Sequence, residues 1–193
     1  MTNITLFSQI ISKLDRFSFT KLVTAHQTDK HQKGYTSWTH LVAMLFCQFA
    51  KSQSVRDISN GLRSATGNLN HLGIERAPSK STISYQNKHR DWRLFRDYYY
   101  GLLKSLGQQA GFKQVKFRIK SKILLLDSTT ISLCLSLFDW AKYKTRKGAV
   151  KMHTLLDYDG NLPAYVTITD GKTADNKGAY DIPLLTNSVI VAD

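Results

Sequence analysis

The chain has 193 residues, room for one good domain or two small ones, each with a modest core. Apolar residues make up 42% of it and aromatic residues 11%, which fits a folded globular protein and excludes a disordered one. Lys and Arg number 27 against 14 acids, a formal charge of +13, and that imbalance calls for a polyanionic partner: nucleic acid first, an anionic membrane surface second.

The first half has a helical period. The opening MTNITLFSQIISK has neither a basic start nor a long apolar core, so it is no secretory signal. Leu6, Ile10, Ile11 and Leu14 share one helical face instead, and Phe17, Leu22 and Val23 mark a second short helix. The polar stretch from Thr28 to Gly34 reads as a loop. Ser37 is the expected N-cap of a helix whose Leu41, Val42, Leu45, Phe46 and Phe49 recur at three- and four-residue steps. Ser54 with Asp57 resembles a capping box, with Asp where Glu or Gln is usual. Ile58 and Leu62 continue that helix and Gly67 follows its end. Cys47 and Cys134 sit in apolar surroundings, and two isolated cysteines make neither a zinc spacing nor a disulfide framework. No apolar run approaches the roughly 20 residues of a spanning helix.

Residues 68–90 predict a short helix, a turn at Pro78, then a helix capped by Ser79 or Ser81 and bearing Lys80, Thr82, Ser84, Gln86, Lys88 and Arg90. Hydroxyls and backbone N–H groups at such a helix start reach phosphates, while Gln and Arg can read base edges. The ordinary alternative is a solvated helix face with conventional caps. Asp91 to Gln109 is the best-patterned helix: Trp92, Phe95, Tyr99, Leu102, Leu103 and Leu106 line one face, Arg93, Arg96 and Lys104 another, and Gly111 follows as a stop. Its aromatic stripe is read as core, not as a base-stacking platform. From Arg76 to Lys122 twelve basic residues face two acids, and DNA phosphate is the natural counter-anion for so lopsided a run.

Near Lys113 the period becomes alternating, with Val115, Phe117 and Ile119 between basic residues. ILLLD then predicts a strand buried on both faces and ending in Asp127, prolonged by the apolar STTISLCLSLF. Residues 139–151 form a basic loop or hairpin carrying Lys144, Arg146 and Lys147. It leads into a strand with Lys151 and His153 two apart, both on one face and available to DNA, although a lone strand histidine is more often structural. A turn at residues 158–160, a strand over 162–171, a helix capped by Thr173 or Asp175 and a last strand ending in Asp193 complete the chain. Asp157, Asp159 and Asp170 fall at turns, where turn chemistry explains them. Two hairpins make an antiparallel trio, and a helical crossover then lets the fourth strand run parallel to the first. Docked side by side, those two strands bring Asp127 and Asp193 together as a seat for a hard divalent cation.

The run from LLLDSTTISL through SVIVAD resembles the DDE-type transposases of bacterial insertion sequences, whose catalytic domain is RNase H-like; the resemblance spans roughly Phe117 to Asp193. SVRDIS, HLGI and SKSTISY are similar to the helical domain that precedes it. The resemblance implies an α+β chain: an all-helical DNA-binding domain over residues 1–112, then a partial RNase H-like mixed sheet over 113–193. It implies that Asp127 and Asp193 are the first two ligands of Mg²⁺ (or Mn²⁺), and that the partners are double-stranded DNA at transposon ends and target DNA. The family's Lys-x-His matches Lys151 and His153. The implied reaction is hydrolytic nicking at the ends, then attack of the freed 3′-hydroxyl on target DNA. The expected DNA contacts are Lys80, Thr82, Gln86, Lys88, Arg90, Arg93, Lys144, Arg146, Lys147, Lys151 and His153. The family's third ligand is a glutamate on a later helix; the sole glutamate here, Glu75, precedes the first strand and does not match it. The expectation is therefore a C-terminally truncated transposase with little or no cleavage alone. The alternative is a DNA-binding regulator or inhibitor of the full-length enzyme. A bacterial cytoplasmic, nucleoid-associated location follows, with self-association or pairing with the intact transposase as the possible assembly.

Overall fold

A computed structural model describes residues 4–65, 68–107, 121–133, 142–144, 147–159, 162–174, 177, 180, 182 and 186–192. The chain divides into two compact units, Met1–Leu102 and Leu103–Asp193. The first is helical: α1 (Ile4–Ser12), α2 (Arg16–His26), α3 (Ser37–Phe49), α4 (Val55–Ser64), a 3-10 turn (Leu69–Leu72), α5 (Lys80–His89) and most of α6 (Arg93–Gly107), which runs past the division at Leu102. Among the described residues no helix is long and apolar enough to cross a membrane.

Short polar side chains set where these helices begin. Asp15 accepts from the N–H groups of Phe17 and Ser18 at the start of α2, and a further hydrogen bond from the Ser18 hydroxyl holds its carboxyl below the usual range. The cap of α3 is Thr36, which accepts from Thr39 N–H, and not Ser37 as the sequence suggests. Ser37 instead gives its N–H and hydroxyl to Asp29, both at 2.7 Å. Ser54 caps α4 by accepting from Asp57 N–H, while Asp57 accepts from Gln53 N–H, one residue earlier than in a standard capping box. Ser79, not Ser81, caps α5. α6 begins two residues later than predicted, with Asp91 accepting from Arg93 N–H.

The core of this unit is aromatic at its centre. Phe19 is 1% exposed and meets Trp38 and Tyr98 edge-on, with centroids 5.5 and 4.9 Å away. Phe7 packs edge-on against Phe46. Several predicted core positions lie outside: Leu6, Phe17, Trp92 and Leu106 are exposed, and Phe7, Phe19, Leu94 and Tyr98 take the buried places. In α3 and α4 the expected Val42, Phe46, Ile58 and Leu62 are buried, whereas in α1, α2 and α6 the buried stripe is displaced by one or two residues. Gly61 lets α4 approach α3, for a Cβ there would sit 2.6 Å from the Phe46 ring, which is itself buried. Gly61→Ala is expected to destabilise the helical unit by about 1–3 kcal/mol despite the better helix propensity of alanine. Urea unfolding measures it, and a stabilised variant would mean that the ring moves aside.

The second unit is a mixed sheet of β1 (Lys122–Leu133), β2 (Lys142–Lys144), β3 (Lys147–Asp157), β4 (Leu162–Asp170) and β5 (Ser188–Ala192). β3 pairs antiparallel with β1, with β4 and with the short β2, while β5 pairs parallel with β1. Apart from β2, this is the predicted antiparallel trio followed by a parallel fourth strand. The expected strand at Val115–Ile119 and most of the helix expected between Thr173 and Leu185 lie outside the described residues. Directly paired residues share a face. Leu124, Leu126, Leu155, Tyr165 and Ile190 therefore gather on one side, where Ile182 packs against them.

Candidate functional site

Asp127 stands on β1 opposite Thr154 of β3, on the sheet face away from the Leu124–Leu155 core. Its side chain is exposed, and it makes no hydrogen bond or ion pair among the described residues. The other carboxylates of the sheet have local duties. Asp157 pairs with Lys122 at 2.8 Å and accepts from Asp159 N–H. Asp170 accepts from the Thr173 hydroxyl at 2.6 Å and from Lys172 N–H, and the Thr173 bond draws its carboxyl below the usual range. A carboxylate held on a strand and followed in sequence by the hydroxyl-bearing Ser128 and Thr129 is chemically a hard oxygen donor without a protein cation to satisfy it among the described residues.

β5 lies beside β1 in parallel, in register from Lys122 opposite Ser188 to Leu126 opposite Ala192. In sequence Leu126 is followed by Asp127, still within β1, and Ala192 by Asp193. Asp193 lies outside the described residues, as does Arg146. Among the described residues no group of three His, Cys, Asp or Glu side chains converges as a ready metal cage. Lys144 and Lys147 are opposite each other where β2 meets β3. His153, among the expected DNA contacts, is 1% exposed and its Nε2 is 2.9 Å from the Thr169 hydroxyl. Lys151 is half-buried on the same strand.

In the helical unit α5 carries the expected DNA-facing residues. Lys80 and Lys88 are exposed, and neither has an ion-pair partner among the described residues. Thr82 is half-buried, its N–H and hydroxyl both engaged with Ser79. Arg93 is exposed and held by both oxygens of Asp91. Arg90 departs from expectation: its side chain is 1% exposed and gives Nη2 to the Tyr35 carbonyl at 2.8 Å. Gln86 is half-buried, and with the Gln32 carboxamide oriented to satisfy its neighbours the Gln32 oxygen accepts from Gln86 at 3.3 Å and from Arg90 at 3.1 Å. What the helix does present is Tyr85, 59% exposed and stacked on His89, followed by Trp92, 65% exposed. The four-residue spacing of Tyr85 and His89 is legible in the sequence once Ile83 is known to face inward.

Residues 118–193 match the family model described as the transposase DDE domain, and residues 2–75 match that of a domain of unknown function (DUF4372). Residues 118–193 thus carry a transposase DDE domain, and the two matches together support a DDE-type transposase of insertion sequences. No curated protein and no solved structure matches it. Every described strand of the sheet falls inside the DDE-domain match, whereas α5 and α6 lie between the two matched stretches.

Proposed function

We propose that this transposase binds double-stranded DNA at insertion-sequence ends through its helical unit, and that Asp127 and Asp193 hold Mg²⁺ or Mn²⁺ for strand cleavage and transfer to target DNA. The supporting observation is the parallel pairing of β1 with β5 up to Leu126 and Ala192, each followed in sequence by an aspartate. Hairpins alone would have put a fourth strand antiparallel, with its last residue at the opposite end of the sheet. The donor set fits the group: oxygen ligands suit a hard cation that keeps several waters and needs few carboxylates. A bound divalent ion supplies charge neutralisation on the attacking and leaving oxygens of the phosphodiester. The chain's own part is to hold the Asp127 carboxylate on β1, exposed, unengaged by lysine or arginine among the described residues and open to a phosphate. Glu75 is not assigned as a third ligand; it lines a cleft of about 500 Å³ in the helical unit with Arg63 and Arg76.

Titration of Mn²⁺ followed by electron paramagnetic resonance tests the site. Asp127→Asn is expected to weaken Mn²⁺ binding by about tenfold or more, because a carboxamide offers one neutral oxygen in place of a charged pair. Any Mg²⁺-dependent nicking of supercoiled plasmid should vanish in the same variant. Unchanged Mn²⁺ affinity would sink the assignment.

A further inference from the structure

We infer that α5 and the start of α6 bind unpaired DNA bases by stacking on Tyr85, His89 and Trp92; the inference rests on the reading of this chain as a DNA-binding protein. Large aromatic side chains normally supply core area, and this unit buries Phe19, Trp38 and Tyr98 for that purpose. Tyr85 and Trp92 are left outside, at 59% and 65% exposure. Both rings are already held. His89 stacks on Tyr85 with centroids 4.0 Å apart and planes 21° from parallel, and its Nδ1–H donates to the Tyr85 carbonyl at 2.7 Å. That bond fixes the imidazole and leaves Nε2 for an outside partner. Arg96 lies over Trp92, its guanidinium carbon 5.3 Å from the ring centroid, and is tied in turn to Asp97 at 2.8 Å. Rings fixed on one face and open on the other lose little freedom when a third planar group is laid on them.

The charge around them selects the occupant. From Lys80 to Arg96 the exposed basic side chains are Lys80, Lys88, Arg93 and Arg96; Arg93 is paired with Asp91 and Arg96 with Asp97, so the two lysines carry the charge left for a ligand. A cationic surface with protruding aromatic faces is the pattern that tracks a single strand, the lysines meeting phosphates and the rings meeting bases. An intact duplex cannot use the rings in this way, because its bases are stacked on each other and show only their edges in the grooves. The matching ligand is therefore a strand with unpaired bases, as at a melted or frayed DNA end.

The test is fluorescence anisotropy of the full chain with a labelled oligothymidylate and with a labelled blunt duplex. Tyr85→Ala and Trp92→Ala are each expected to weaken single-strand binding by about 5- to 100-fold, the range of one lost base stack, and to change duplex binding by less than about twofold. Trp92→Phe should retain most of the single-strand affinity. Lys88→Gln should weaken both ligands and lower the salt slope by about one. The altered side chains are exposed, and an unchanged thermal midpoint confirms the fold of each variant. Equal losses on both ligands, or none on either, would overturn the stacking site while leaving duplex recognition standing. A wild-type chain that binds neither oligonucleotide would overturn the DNA-binding reading as well.

Discussion

Arg90→Ala should cost the helical unit about 3 kcal/mol of stability while leaving the DNA affinity of the folded protein unchanged. Arg90 ends α5 with its side chain withdrawn from water, donating to the Tyr35 carbonyl and lying over the Tyr35 ring at 5.5 Å. Asp29 stands 3.8 Å away and is itself anchored by Ser37, so one guanidinium ties the 28–36 loop to the start of α3 and the end of α5. Burial lowers the Arg90 pKa, and Asp29 opposes that shift. Removing one member of a buried pair costs about 3–5 kcal/mol in general, because the partner is left uncompensated. The lower end applies here: Asp29 is 28% exposed and recovers water, and two of the guanidinium nitrogens, Nε and Nη1, have no partner to lose. Arg90→Met, which keeps much of the volume, should fall between wild type and Arg90→Ala. Urea unfolding gives the stability and anisotropy at saturating fold gives the affinity. A stable Arg90→Ala variant with weakened DNA binding would restore Arg90 to the DNA surface.

Lowering the pH from about 7 to about 4 should remove about 3 kcal/mol from the same unit through His40 alone. His40 is 4% exposed, donates from Nε2 to the Asn87 carboxamide oxygen and meets Phe95 edge-on. Its Nδ1 is buried without a partner, so a proton added there finds no acceptor. Burial, reinforced by the nearby Arg90 charge and only partly offset by Asn87, brings the His40 pKa down to about 4. The unfolded chain keeps the ordinary value of about 6.5 and takes up its proton first as the pH falls. Stability is therefore complete above about 6.5, declines between about 6.5 and about 4, and loses nothing further to this group below that. Denaturation curves across that window, compared with those of His40→Gln, isolate the contribution. A slope that persists undiminished in His40→Gln would assign the pH dependence to other groups.

The helical order, the antiparallel trio and the parallel return strand were all legible, because alternation and three-to-four periodicity are properties of consecutive residues. The caps were less so. Ser37 and Thr36 are both competent capping residues, and the choice between them depended on Asp29, eight residues upstream, which claims Ser37. Trp92 and Leu106 matched an apolar stripe on paper, yet the stripe that meets the core runs through Leu94 and Tyr98, since Phe19 already fills the place against Tyr98.

The DNA-facing residues show the division most clearly. A run of Lys, Arg, Gln and His on one helix announces a polyanion, but not which of those side chains point outward. Arg90 was drawn inside by the Tyr35 carbonyl, Gln86 was half-buried beside Gln32, and Tyr85 and Trp92 were left outside. The sequence by itself determined the charge, the two fold types and the aspartates that follow β-branched strands, because each is written in neighbouring residues. Only the tertiary structure decided which face of α5 is wet and that β5 lies against β1 in register with it. Both depend on groups distant in sequence competing for the same buried space and the same backbone hydrogen bonds.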